Sequence, residues 1–185
     1  MSKIVFLLEE RSMKTLLDGL LPRFFPGLLF QCVAHEGKQD LEKSIPRKLR
    51  AWKEPGVRFV VIQDNDGGNC LELKERLSSK CHEGRRPDTL VRIACQELEA
   101  WYFGDPSALS VAFDNHQLQH LGDKHKYHYP DTIVYPSKEI SKLIPGFQKI
   151  SGARKMSAHL SRSENRSPSY NVLMDGIELL FSSGL

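Results

Sequence analysis

The 185-residue sequence contains no apolar run near the ~18 residues that a membrane-crossing helix requires. Its first apolar run, in MSKIVFLLEERS, ends at Glu9 and Glu10, whereas a secretory signal needs a longer apolar region and a small-residue cleavage site. Neither a membrane partner nor export is expected, and the reading is a cytoplasmic protein. Cysteine is scarce. Cys32, Cys70, Cys81 and Cys95 are the only four, none in C-x-x-C spacing, which argues against a disulfide framework and for reduced thiols. An excess of either charge is also lacking: 26 lysines and arginines against 23 acids leave a net charge of +3, too mild to mark a nucleic-acid-binding protein by itself. What is present is ordinary for a folded domain, since 40% hydrophobic and 26% charged residues exclude wholesale disorder. A chain of this length buries about 70% of the surface its unfolded form exposes, enough for a core without metal or disulfide support.

The first hundred residues alternate short apolar runs with longer amphipathic ones. Strands are expected at Lys3–Leu8, Leu28–Ala34, Val57–Ile62 and Thr89–Ala94. Between them fall a helix capped by Ser12 and stopped by Pro26-Gly27, a helix Leu41–Trp52 capped by Asp40 and kinked at Pro46, and a helix Cys70–Cys81; another opens at Glu97. This βαβαβαβα rhythm implies a parallel sheet with right-handed crossovers and helices on both faces. After Asp105-Pro106 the rhythm is lost. Short helices are expected at Ser107–Phe113, Ser137–Leu143 and Tyr170–Phe181, separated by a polar, histidine-rich loop (Asp114–Tyr129) and a glycine- and serine-bearing tail. The fold class is therefore α/β, a Rossmann-like parallel four-stranded sheet over residues 1–105. Residues 106–185 form a mostly helical extension packed on it, not an independent domain.

In open parallel sheets, ligands bind beyond the carboxyl ends of the strands, where strand order reverses. Strand one runs into Glu9 and Glu10, strand three into Gln63-Asp64-Asn65-Asp66-Gly67-Gly68, and strand four into Gln96-Glu97-Leu98-Glu99. If strands one and three are neighbours, Glu9, Asp64 and Asp66 converge at one rim. Carboxylates held together repel, so a cation or a proton must sit among them, and hard oxygen ligands select Mg²⁺ or Mn²⁺. Asp-x-Asp suits a strand end because residues i and i+2 point the same way there. Taken singly, each acid is more ordinary as a turn former or helix cap; the combination is what points to metal-assisted phosphodiester chemistry.

A strand ending in glutamate followed by a strand ending in Asp-x-Asp resembles the TOPRIM fold of topoisomerases, bacterial primases, small ribonucleases and overcoming-lysogenisation-defect nucleases. More narrowly, FLLEERS, HEGKQDL, VVIQDNDGG, ACQELEAWYFGD and SRSENRSPSYNVL resemble a TOPRIM-like (RloG-like) family of unassigned function found near restriction and phage-defence loci. The resemblance implies that Glu9 is the metal-adjacent acid and general base, that Asp64 and Asp66 hold the metal, and that an ABC- or SMC-like ATPase works beside the protein. One departure is Glu10, where many TOPRIM proteins carry glycine, which leaves Glu9 or Glu10 as the key acid.

Further candidates follow from position. Glu97 and Glu99 would share a face on an extended segment and serve a second metal, or diverge by ~200° on a helix, where acids favour the first turn. Lys38, at the end of strand two, could contact a scissile phosphate, although Gly37-Lys38 lacks the Walker frame. His116, His120, His125 and His128 have zinc-like spacing, but Gly122 and intervening lysines read as a loop with no cysteine nearby. From Pro145 to Asn171 the basic residues Lys149, Arg154, Lys155, Arg162 and Arg166 face one acid, Glu164, as a phosphate-contacting tail would. The expectation is a Mg²⁺- or Mn²⁺-dependent nuclease acting on DNA or structured RNA as an effector of phage defence, with a homodimer as a candidate assembly. The alternatives are a non-catalytic regulator or adaptor docking on the ATPase, and a receiver-like phosphorylation module, the last disfavoured because no fifth strand with a terminal lysine is found.

Overall fold

The computed structural model describes residues 3–183. Consecutive apolar residues with no polar alternation can be buried only where both faces of a strand are covered. Accordingly β1 (Ile4–Leu8) is buried along its whole length. With β2 (Phe30–Ala34), β3 (Arg58–Asp64) and β4 (Leu90–Ala94) it forms a sheet of order β2-β1-β3-β4, parallel throughout. Leu8 lies opposite Ala34 on one side and Ile62 on the other, and Asp64 lies opposite Ala94. The crossovers are α1 (Arg11–Phe24), α2 (Lys38–Ala51) and α3 (Cys70–Glu83). The chain steps from β1 outward to β2, then back across β1 to β3. The reversal of strand order therefore falls between β1 and β3, as the acid-convergence argument requires.

Alternate residues of the strands serve two cores. Ile4, Phe6, Leu8, Val60 and Ile62 face α1, while Val5, Leu7, Phe59 and Val61 pack with Leu41, Ile45, Leu73 and Leu77 of α2 and α3. The C-terminal part adds α4 (Ala100–Phe103), α5 (Pro106–Ala112), α6 (Pro136–Leu143), α7 (Lys149–His159) and α8 (Pro168–Ser182). Met156, Leu173 and Ile177 of this part belong to the same apolar cluster as Phe6 and Ile62. The extension thus completes the core under one face of the sheet. Buried polar side chains tie it down: Asp105 accepts from Ala108 N–H at 3.0 Å and Ser161 N–H at 2.8 Å, and Asn165 donates to the Trp101 carbonyl at 2.8 Å. No helix among the described residues is long and apolar enough to cross a membrane.

Several local expectations are corrected. The N-caps of α1 and α2 are Glu10 and Gly37 rather than Ser12 and Asp40. Ser12 instead donates its hydroxyl to Glu10, and Asp40 accepts from Glu36 N–H at 3.1 Å. β3 runs on to Asp64, past the expected end at Ile62. The histidine-rich loop is wound into short 3₁₀ turns, His116–Asp123 and His125–Tyr127. Helix α7 was not anticipated at all, because Gly152 and the serines read as a tail. Gly152 is helical for a packing reason: a Cβ there would stand 2.4 Å from the Phe147 ring. On α1, Gly19 does the same for α7, since its Cβ would meet Ser157 Oγ at 2.2 Å.

Candidate active site

The β1 and β3 termini bring the first acids together through the backbone. Glu9 follows β1, and its Oε2 accepts from Asp64 N–H at 3.1 Å. Asp64 closes β3 almost wholly buried, its Oδ2 accepting from Leu98 N–H at 3.3 Å. Burial lifts the Glu9 carboxyl to about 7; the Asp64 N–H bond opposes the shift, while Asp66 and Glu10 add to it. Burial likewise holds the Asp64 carboxyl well above the carboxylate range, reinforced by the charges of Glu9, Glu99 and Glu10.

Glu99 enters from the turn before α4. It is fully buried, and neither carboxyl oxygen has a hydrogen-bond partner. Desolvation raises its pKa to about 7, eased by Lys149 and by the residue's own backbone N–H, which lies near the carboxyl but outside hydrogen-bond geometry, and increased by Glu10 and Glu97. One helical turn on, the Tyr102 hydroxyl is also buried without a partner, and burial with the charges of Glu99, Glu10 and Asp64 pushes the phenol upward. An ammonium group facing these acids comes from the extension: Lys149 Nζ lies 3.5 Å from Glu10 Oε2. Glu10 is therefore part of the cluster as well as the cap position of α1.

The other predicted residues separate. The same-side reading of Asp64 and Asp66 holds only for an extended chain, but β3 stops at Asp64 and Asp66 takes a left-handed conformation with φ 48°. Asp66 is exposed and pairs with Lys38 at 3.2 Å, so Lys38 does reach this rim. Glu97 and Glu99 diverge across the turn: Glu97 Oε2 accepts from Ser137 N–H at 2.7 Å, in the first turn of α6 rather than of α4. The basic tail is not one surface. Lys149 faces the acids, Arg162 is held by Asp175 and Glu178, and Lys155 lies over the Phe113 ring. Arg154 and Arg166 are exposed, the latter beside Gly122. The polar contacts of His35 are internal: its ring nitrogens meet the Leu8 carbonyl and the Ser44 hydroxyl, which fixes the end of β2. Glu10, which the sequence offers as an alternative to Glu9, joins the cluster beside it, while sequence reasoning missed Tyr102 as a polar neighbour, and Lys138 and Lys142, which share a cavity with Lys149.

Whether these residues suit a divalent metal can be judged from the donors. Among the described residues no three His, Cys, Asp or Glu side chains form a ready ligand set. Zinc sites usually need such a set, and Ca²⁺ takes six to eight oxygens, but Mg²⁺ is commonly held by one or two carboxylates, water and substrate phosphates. The donors here are oxygens, and two of them, on Glu99, are buried and orphaned. That fits Mg²⁺ or Mn²⁺ and does not fit a structural zinc.

A family model described as a domain of unknown function, DUF4276, matches residues 8–178. The chain belongs to the DUF4276 family. No curated protein and no solved structure matches it. The match begins at the end of β1 and runs into α8, so the DUF4276 unit includes the helical extension that carries Lys149 as well as the sheet that carries Glu9 and Asp64.

Proposed function

We propose that this DUF4276 protein is a Mg²⁺- or Mn²⁺-dependent nuclease of TOPRIM type, hydrolysing phosphodiester bonds in DNA or structured RNA. The observation that carries the reading is Glu99: a fully buried carboxylate with two unpartnered oxygens, placed where it raises the pKa of Asp64. Burying an uncompensated carboxylate is costly, and a bound cation removes that cost. Asp64, with Glu9 adjacent to it at the ends of β1 and β3, would hold the ion together with water and substrate phosphates, and Glu99, whose charge acts on Asp64, would share the ion's field, whereas Asp66 and Glu97 are engaged by Lys38 and Ser137 N–H. Such an ion neutralises charge on the scissile phosphate and sharpens an attacking water. The resemblance gives Glu9 the role of general base, and its place beside Asp64 at the β1–β3 rim suits it to take the proton from that water. Lys38 and Lys149 offer ammonium groups to phosphate oxygens. The resemblance to TOPRIM-like proteins of phage-defence loci supports a cytoplasmic effector restrained by an ABC- or SMC-like ATPase, with a homodimer as a candidate assembly.

A second reading, a regulator or adaptor without catalysis, is favoured by one observation. Lys149 already supplies positive charge to Glu10, Glu99 and Asp64, so the acids are partly neutralised by the chain itself. The two readings separate in one assay: purified protein with Mg²⁺ or Mn²⁺ is challenged with plasmid and total tRNA, beside Glu9→Gln and Asp64→Asn. The nuclease reading expects cleavage that both substitutions abolish. Cleavage surviving both overturns it, and an inert wild type that binds no divalent ion favours the adaptor.

A further inference from the structure

Resting on the nuclease reading, we propose that α6 and the residue before it guide a single nucleic-acid strand, with one unstacked base held on Tyr135 and phosphates held by a lysine groove. Two cavities flank the start of α6. The first, about 500 Å³, is lined by Val134 and Tyr135 together with Asp66, Gln96 and Glu97. The second, about 510 Å³, is lined by Lys138, Lys142 and Lys149 with Phe147. Asp66 is also the outer acid of the candidate active site, and Lys149 is the ammonium that faces Glu10. Both cavities therefore border the acid cluster.

The first cavity has the features of a base site. Val134 is 65% and Tyr135 58% exposed, an apolar surface with no internal partner to bury it. Lys138 Nζ stands 4.4 Å from the Tyr135 ring centroid, so an ammonium group lies against one face of the ring. Its backbone is left-handed, with φ 53°, and so are those of Asp66 and Gln96, with φ 48° and 65°. Three of the five non-glycine residues with positive φ among the described residues thus line this one cavity. Such conformations persist where the surroundings impose them and gather at ligand sites. Aromatic faces stack on any base, and a base can enter a cavity only when it is unpaired, so the preferred substrate is single-stranded or splayed. The polar wall is acidic. Glu97 uses one carboxyl oxygen on Ser137 N–H, and Gln96 Oε1 stands over the Gly67 turn. Bases with an exocyclic amino group can donate to that wall, whereas thymine and uracil present carbonyls to it.

The test is binding of fluorescein-labelled single-stranded hexanucleotides to the full chain by anisotropy, with Ca²⁺ replacing Mg²⁺ to leave the strand uncut. Oligo(dC) is expected to bind more tightly than oligo(dT). Tyr135→Ala should weaken binding about 10-fold while Tyr135→Phe retains it. Lys138→Ala with Lys142→Ala should reduce the log–log salt slope by about 1.4, about 0.7 for each lost single-strand phosphate contact. Unchanged melting of Tyr135→Ala verifies its fold; should it misfold, Val134→Asp makes the same comparison. Wild-type affinity in a folded Tyr135→Ala, equal affinity for a duplex, or equal affinity for free cytidine monophosphate each overturns the strand guide. Tyr135-dependent binding without any Glu9-dependent cleavage keeps the strand guide and removes the nuclease reading. Glu9-dependent cleavage indifferent to Tyr135→Ala does the reverse.

Discussion

Replacing Glu99 by glutamine removes a charge and keeps the shape of a side chain that is fully buried with both oxygens unpartnered. In the folded protein desolvation raises its pKa from 4.5 to about 7, with Lys149 opposing the shift. Below the unfolded value both states hold the proton and the group costs nothing through ionisation. Between pH 4.5 and about 7 the folded state keeps a proton that the unfolded state has released, so stability falls as pH rises through this window and stays low above it. A shift of about 2.5 units at 1.36 kcal/mol each gives a penalty of about 3 kcal/mol at pH 8. For a chain of this size each kcal/mol moves the melting temperature by about 2–4 °C. Glu99→Gln is therefore expected to melt about 6–12 °C above wild type at pH 8, with most of the difference gone at pH 5. A glutamine amide is as poorly satisfied as a protonated carboxyl, and that cost is present at both pH values and cancels between them. Adding Mg²⁺ at pH 8 should raise the wild-type melting temperature and move the variant less, because a cation that binds only the folded state stabilises it by mass action. Melting curves at the two pH values, with and without Mg²⁺, make the comparison. A difference that is the same at pH 5 and pH 8, or a variant less stable than wild type at pH 8, refutes the buried-carboxylate reasoning.

Two further substitutions test how the extension is held. Asn165→Ala strips the buried bonds to the Trp101 carbonyl and the Ser167 N–H, and should cost about 2–3 kcal/mol in urea denaturation; a change within experimental error would mean water satisfies both groups. Gly19→Ala forces a Cβ against Ser157 Oγ between α1 and α7 and should cost about 1–3 kcal/mol, recovered largely in the double variant with Ser157→Gly. No recovery would place the strain elsewhere than this crossing.

The sheet was legible because its signal is local. Four apolar runs, each followed by an amphipathic stretch of helical length, leave little choice but a parallel sheet, and the observed order β2-β1-β3-β4 puts the acids of β1 and β3 side by side. Strand ends and caps shifted by a few residues because side chains such as Ser12 and Asp40 found other partners close by. Helix α7 was illegible because a glycine lowers helix propensity, and the compensating contact with the Phe147 ring, only five residues earlier, depends on how the intervening turn folds back rather than on any apolar period. The Asp-x-Asp pairing failed in detail for a related reason: the rule assumes extended backbone, and the turn at Asp66 turns one acid outward while Asp64 stays buried.

The distribution of positive charge carries the same lesson further. Summing charge along the tail from Pro145 grouped Arg162 with Lys149, yet Arg162 is neutralised by Asp175 and Glu178 on α8 while Lys149 turns toward Glu10. The window also excluded Lys138 and Lys142, which line the same cavity as Lys149 although they precede it by a helix and a turn. Charge acts through space, so the meaningful grouping is by cavity, and by that grouping the extension supplies cations to a rim whose acids come from the sheet. The carboxylates of Glu99, Glu10 and Asp64 share the positive charge of Lys149, whereas Lys142 pairs with Glu139 of its own helix and Lys138 lies over the Tyr135 ring. Sheet and extension therefore form one electrostatic unit, consistent with a DUF4276 match that runs through both. A truncation ending near residue 105 would remove Lys149, the ion-pair partner of Glu10, and uncover the apolar face that Met156, Leu173 and Ile177 close.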